Sequence, residues 1–215
     1  MNKLFSISLV GLVFIACQQQ VQKQQDETPA IDPNAITCDG IGPVKTNYSY
    51  SALDSVVGAD KLQNGTVDID GNAVHITKVF PNEAEEITVY WAESQEPYRT
   101  ITKIAVANNF GPYQTPEGLR VGSTLNELKE YNNFMPVTMT NFYNSLDGYA
   151  TIIGFNGGDI ETKYPCLGGK FDIVKQRGVD VRTLDEIKPE KELKSSHKLF
   201  NSIDVEVVEL SISPR

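Results

Sequence analysis

Apolar residues recur with a period of two along much of this chain. Ile87-Thr-Val-Tyr-Trp91 and Ile101-Thr-Lys-Ile-Ala-Val106 are two such runs, with a polar stretch, Glu93 to Tyr98, between them. Ile203, Val205 and Val207 continue the pattern, and so do Val208, Leu210 and Ile212. Period two places alternate side chains on opposite faces of a strand. The phase slips between Val207 and Val208, which predicts a β-bulge there. Thr66-Val-Asp-Ile and Ala73-Val-His-Ile flank Asp70-Gly71-Asn72, a strong hairpin signal. Tyr149-Ala-Thr-Ile-Ile and Asp159-Ile-Glu-Thr flank Asn156-Gly157-Gly158 and read the same way. Phe171-Asp-Ile-Val174 is a further candidate strand.

Two short stretches change the period. Thr124 is followed three residues later by Glu127, the spacing of a capping box. Leu125, Leu128 and Tyr131 then share one helical face, and Asn132-Asn133 supplies a stop. Seventy-five positions earlier Ser49 stands where Thr124 does, Tyr50 where Leu125 does and Leu53 where Leu128 does. That earlier box lacks its carboxylate, because Ala52 replaces the glutamate, and Gly58 ends the helix. The body therefore reads as α+β: two repeats, residues 37–114 and 115–215, each a short helix followed by an antiparallel sheet of three or four strands.

The N-terminus has a different texture. After one basic residue, Lys3, the run Leu4 to Ala16 is uncharged and mostly apolar. As a helix it would rise about 20 Å, short of a hydrocarbon core of about 30 Å. It reads as an export signal over residues 1–16. Gln18 to Asn34 is glutamine-rich, carries two prolines and has almost no apolar side chains. Such a segment cannot bury enough surface to offset its ordering entropy, so residues 17–36 read as a flexible tether. The ending Phe14-Ile15-Ala16-Cys17 resembles the lipobox of bacterial lipoproteins. The resemblance implies that Cys17 is acylated and becomes the membrane anchor. Glutamines follow Cys17 where surface-export signals carry acidic residues, so the expected location is the outer membrane, facing the periplasm.

Removing residues 1–16 leaves 199 of 215 residues and takes the formal charge from −9 to −10, since Lys3 is lost. That balance excludes a nucleic-acid partner and a basic patch for anionic lipid. Cys38 and Cys166 lie 128 positions apart, outside the cytoplasm by this reading. They either pair as a disulfide or stand as two buried thiols.

Gly122-Ser123-Thr124 resembles the Gly-X-Thr helix cap that opens each repeat of the beta-lactamase inhibitor protein and of small outer-membrane-assembly lipoproteins. The first copy departs from it, with Asn47-Tyr48-Ser49. The block around residues 87–134 also resembles uncharacterised lipoproteins of Bacteroidota. These likenesses imply a binding or scaffold module that meets its partner through the sheet face or loops, without a cofactor and without a catalytic residue to carry over.

Candidate chemistry is sparse. Asp68-Ile-Asp70-Gly71-Asn72 opens like a calcium loop, but its twelfth position is Val79 in place of glutamate. His75 and His197 are the two histidines and are not clustered with other ligands, so no metal site is expected. Glu83, Glu85 and Glu86 would serve a glycan hydrolase only if paired across a cleft; otherwise they are a solvated turn. Tyr90, Trp91, Tyr98, Phe110 and Tyr113 are either core packing or an exposed patch for a protein or glycan partner. An inhibitor of a secreted enzyme is a third reading, by resemblance alone.

Overall fold

A computed structural model describes residues 32–69 and 71–214 of the chain. The expected signal segment, Cys17 and most of the expected tether lie outside the described residues. The chain opens with three two-residue strands, β1 (Ile36–Thr37), β2 (Gly40–Ile41) and β3 (Val44–Lys45), which pair as a small antiparallel sheet. Ile36 is fully buried and its amide donates to the Gln114 carbonyl at 2.7 Å. The expected tether therefore ends earlier than residue 36, because Ile36 already belongs to the core.

Helix α1 (Tyr50–Val57) starts at Ser49, whose hydroxyl accepts from the Ala52 amide at 3.2 Å. Gly58, at φ 94°, ends it. Four strands follow in a meander: β4 (Leu62–Ile69), β5 (Asn72–Val79), β6 (Ile87–Trp91) and β7 (Ile101–Val106). Ile69 pairs with Asn72 across the predicted hairpin, and Gly71 takes φ 80° there. That conformation is one that glycine adopts without steric cost. Asp68 accepts from the Gly71 amide at 2.8 Å, so its carboxylate closes the turn.

Helix α2 (Leu125–Tyr131) carries the full capping box: Glu127 N donates to the Thr124 hydroxyl, and the Glu127 carboxylate accepts from Thr124 N at 2.7 Å. Asn133 is left-handed at φ 53°, the helix stop that Asn132-Asn133 predicted. Then come β8 (Thr138–Thr140), β9 (Ala150–Gly154), α3 (Asp159–Lys163), β10 (Leu167–Gln176), α4 (Val181–Ile187), β11 (Glu192–Lys194) and β12 (Ile203–Ile212). The fold is α+β.

The long strands form one nine-stranded antiparallel sheet in the order β11-β8-β9-β10-β12-β7-β6-β5-β4. The two halves join where β12 pairs with β7, Leu210 opposite Val106 and Ile212 opposite Ile104. On its other edge β12 pairs with β10, and the register skips Val208: Lys170 faces Glu209 and Phe171 faces Val207. This is the bulge that the phase slip foretold.

One expectation fails. Asp159-Ile-Glu-Thr is not a strand but the helix α3. Ile160 is buried and Tyr164 half-buried, an i, i+4 pair that needs a helix. Glu161 accepts from the Gly157 amide at 2.6 Å, which holds the turn into that helix. The three-residue strands β8 and β11 escape periodicity altogether, being too short to show it.

The disulfide joins Cys38, in the turn between β1 and β2, to Cys166, the residue before β10. Their Cα atoms are 5.6 Å apart, and the small sheet is thereby fixed to the large one. One continuous hydrophobic cluster takes residues from both halves, including Leu53, Trp91, Leu128, Phe171 and Leu210.

Candidate binding face

Burial alternates along β6 and along the first part of β12. In β6 it reads buried at Ile87, Val89 and Trp91, and half-buried at Thr88 and Tyr90. In β12, Val205, Val207, Leu210 and Ile212 are buried while Glu206 and Glu209 are half-buried. One face thus carries the core, and the opposite face remains open to solvent at its polar positions. An antiparallel sheet with one wet face shows such a split, although Ala105 and Ser211 on the outer side are themselves buried.

The middle of the open face is organised around Tyr90. Its cross-strand neighbour is Lys103, whose Nζ lies 4.0 Å from the Tyr90 ring centroid. Lys103 pairs with Glu209 Oε1 at 3.2 Å, although 106 positions separate them. Glu209 stands opposite Lys170, which pairs with Asp147 at 2.6 Å and lies 5.7 Å from the Tyr149 ring centroid. On the other side Lys78 pairs with Glu86 at 2.8 Å. A groove of about 580 Å³ runs along this flank, bordered by Lys78, Glu86, Tyr90, Glu209 and Phe110.

The electrostatics agree with this geometry. Burial, followed by the Glu209 charge, pushes the Tyr90 hydroxyl up to about 12, so it stays a neutral donor. Burial works against ionisation of Asp147, but hydrogen bonds from Lys170, Ser145 and the Tyr149 amide outweigh it and hold the carboxyl down to about 2. Lys170 shifts the opposite way: burial disfavours its charge, and Asp147 and Glu209 more than restore it. A depressed folded-state pKa gives stability that is whole above the unfolded value of about 4 and lost as pH falls. The stability difference between the protein and its Asp147→Asn variant should therefore be constant above pH about 5 and shrink as pH falls toward about 2. Denaturant unfolding at a series of pH values measures it. A difference that ignores pH would contradict the pairing. Asp147 is 45% exposed, so the effect is small.

Exposed ion pairs and cation–π contacts are each worth about 1 kcal/mol or less. These pairs therefore add little to the fold. What they do is hold the Lys103 and Lys170 side chains against the Tyr90 and Tyr149 rings. Tyrosine supplies contact area and a hydrogen-bonding hydroxyl together.

Of the five aromatic candidates, the structure brings Tyr90 and Phe110 to this side of the molecule. Phe110 is 85% exposed at the groove rim. Trp91, Tyr98 and Tyr113 are buried and belong to the core. Trp91 Nε1 donates to the Thr77 hydroxyl at 2.8 Å, and the Tyr113 hydroxyl donates to the Glu85 carbonyl at 3.2 Å. Of the two alternatives these three take core packing, since each side chain is buried. Tyr98 and His75 are joined through Oη and Nδ1 at 3.1 Å. Lys103, Glu209, Lys170, Asp147 and Tyr149 are members that sequence reading missed. Alternation within β12 marks Glu209 as outward-facing, whereas alternation in β7 would set Lys103 on the face of Ile101, and the register shift between Tyr90 and Trp91 is what brings Lys103 out; nothing local says that the two meet.

The acidic cluster is a turn. Glu83 pairs with Lys61 at 3.4 Å, and Glu86 also accepts from the Asn82 amide at 2.8 Å. Burial resists ionisation of Glu86, yet the Lys78 and Asn82 hydrogen bonds hold it below the usual carboxylate range. That is the wrong direction for a general acid at neutral pH. Among the described residues no group of three or more His, Cys, Asp or Glu could hold a metal ion. No helix among them is long and apolar enough to cross a membrane.

No protein-family model matches the chain, and no curated protein matches it. A solved structure similar to it is that of the uncharacterized protein YfeY from Escherichia coli, at 14% identity and a TM-score of 0.47, covering 83% of this chain and 99% of that one. At this identity and score the likeness carries no argument about function.

Proposed function

We propose that the protein is a lipid-anchored, non-catalytic binding module of the cell envelope. Residues 1–16 direct export, Cys17 carries the lipid, and the open sheet face engages a protein partner. The observation that carries the partner-binding reading is the Tyr90–Lys103–Glu209 arrangement, with Lys170 and Tyr149 beside it. It is ordered, contributes little to folding, and combines aromatic area with paired charges of both signs. A partner that matches those charges would be selected by complementarity more than by apolar area.

Affinity capture from the cells that make the protein, followed by quantification of the captured partner, tests this. The double variant Tyr90→Ala, Lys103→Ala should lose at least tenfold of the wild-type yield, since truncated central aromatics cost about 1.4 kcal/mol or more. Tyr90 is half-buried, so the double variant should lose some stability, and Lys103→Ala alone, which should unfold close to wild type, should also reduce the yield. Undiminished capture would place the interface elsewhere. Cys17→Ala should shift the protein from the membrane fraction to the soluble fraction.

A further inference from the structure

The two edges of the nine-stranded sheet are unlike. β11, at one end, is three residues long and sets Glu192 and Lys194 on either side of Leu193. A short, charged strand is a blunted edge. β4, at the other end, runs eight residues from Leu62 to Ile69. It contains no proline, Asp68 is its single charged side chain, and its register against β5 has no shift. None of the usual devices that keep an edge from pairing is present.

The free edge is regular. The Phe80 amide donates to the Lys61 carbonyl at 2.9 Å. The positions of β4 bonded to β5 are therefore Gln63, Gly65, Val67 and Ile69, in steps of two. Leu62, Asn64, Thr66 and Asp68 turn their amides and carbonyls off the edge. The Leu62 amide is taken by the Ala59 carbonyl. The backbone amides and carbonyls of Asn64, Thr66 and Asp68 have no partner among the described residues. β6 covers β5 only from Ile76 to Val79, so the outer half of this hairpin is a two-stranded ribbon, which is marginal by itself.

Gly65 sits in the middle of the strand without an internal reason. A Cβ there would meet Ile76 at 3.7 Å, an ordinary contact, and its φ is not left-handed. Glycine inside a strand costs about 0.5–1 kcal/mol against alanine. What it leaves is room on the face that carries Tyr90, since Gly65 stands opposite Ile76 and Ile76 opposite Tyr90.

A row of open amides and carbonyls is complementary to another extended strand. β4 is complementary to itself. An antiparallel two-fold axis at Thr66 sets Thr66 against Thr66 of the copy and Asn64 against Asp68 of the copy, twice over. Each open backbone group then has a partner. No like charges stand opposite, and the threonine pair is a favourable one. On the Tyr90 face, Val67 falls opposite Gly65 of the copy, where the missing side chain leaves space. Ile69, 40% exposed, falls opposite Gln63 of the copy.

We propose that β4 pairs antiparallel with β4 of a second copy of this chain, about a two-fold axis at Thr66, so that the two sheets continue as one. The contact is isologous and closes as a dimer. It does not rest on the partner-capture reading of the sheet face, and Lys103→Ala leaves it intact. One strand pair buries less than a standard interface, so the dimer should be weak, with a Kd on the order of 0.1 mM.

Cysteine trapping in the full chain tests the register. Thr66→Cys, in cells treated with a mild oxidant, should give a disulfide-linked homodimer, because bonded antiparallel pairs hold their Cα atoms about 5.5 Å apart. Lys194→Cys on β11, the opposite edge, should give none. Sedimentation of the full chain over a range of concentration should show a monomer–dimer equilibrium. Thr66→Lys sets two lysines opposite each other and should weaken the dimer at least tenfold. Thr66 is exposed, so this variant keeps the fold. Thr66→Pro removes an amide that points off the edge and should act in the same direction. A homodimer trapped no better at position 66 than at position 194 overturns the proposal. So does trapping of a different protein at position 66, a chain that stays monomeric well above the expected Kd, or association that Thr66→Lys leaves unchanged.

Discussion

Replacing Cys38 and Cys166 together by serine is expected to cost the folded body roughly 4–5 kcal/mol. The bond closes a loop of 128 positions, and closing so long a loop removes much of the entropy of the unfolded chain. It also fixes the small sheet, with Ile36, Ile41 and Val44 fully buried, to the start of β10. Domains of this kind are stable by about 5–15 kcal/mol in total, so the variant should sit near its unfolding threshold. Urea unfolding of the oxidised protein, the reduced protein and the double variant gives the numbers. The reduced protein and the variant should agree, and both should show a larger m value, because the uncrosslinked unfolded chain exposes more surface. A loss below about 1 kcal/mol would mean that the unfolded chain stays compact without the bond.

The second large effect is expected at Asn132. This side chain is fully buried at the end of α2. Its Nδ2 donates to the carbonyls of Met135 and Phe155, at 3.0 and 2.8 Å, and its Oδ1 accepts from the Ile160 amide at 3.3 Å. One amide group thus fastens the α2 exit, the end of β9 and the start of α3. Gly158 makes room for it: a Cβ there would lie 2.1 Å from Asn132 Oδ1. Asn132→Ala should cost about 2–3 kcal/mol: the buried Ile160 amide is left unpaired, at roughly 1–3 kcal/mol, while the Phe155 carbonyl keeps the Gly158 amide and the Met135 carbonyl lies near solvent. Asn132→Asp should be destabilised at neutral pH as well, because a carboxylate would face two carbonyl acceptors. Burial and repulsion would raise its folded pKa above the unfolded value, so its stability should recover as pH falls and the group protonates. Denaturant unfolding of both variants at neutral and acidic pH measures this. A cost near zero for alanine would show that the Ile160 amide finds another partner.

Local chemistry carried much of the fold in the sequence. Ser49, the Thr124–Glu127 box, Asn132-Asn133, the Asp-Gly hairpin and the slip at Val208 each act within a few residues, so periodicity and turn chemistry register them. What depends on distant partners was not legible. β12 lies between β10 and β7, a placement that pairs Leu210 with Val106 and is written in no local pattern. Asp159–Lys163 misled because Asn156-Gly157-Gly158 resembles a hairpin turn, while the deciding contacts come from Asn132 and Glu161.

The candidate site divides in the same way. Strand alternation separates half-buried Tyr90 from buried Trp91. Tyr98 and Tyr113 sit in connecting segments, where burial follows tertiary packing and no period reports it. Lys103 and Glu209 lie 106 positions apart, so their contact over Tyr90 belongs to the sheet order and not to either strand.

The central claim is that the open face of the sheet is the surface that meets a partner. Site-specific photocrosslinking in intact cells tests it most directly. A photoreactive residue would replace Thr88 or Thr151 on that face, and Glu130 on α2 or Glu161 on α3 as controls. Thr88 and Thr151 should each give the same discrete adduct, and Glu130 and Glu161 should give none. Adducts from the helix positions, with none from the sheet, would contradict the account.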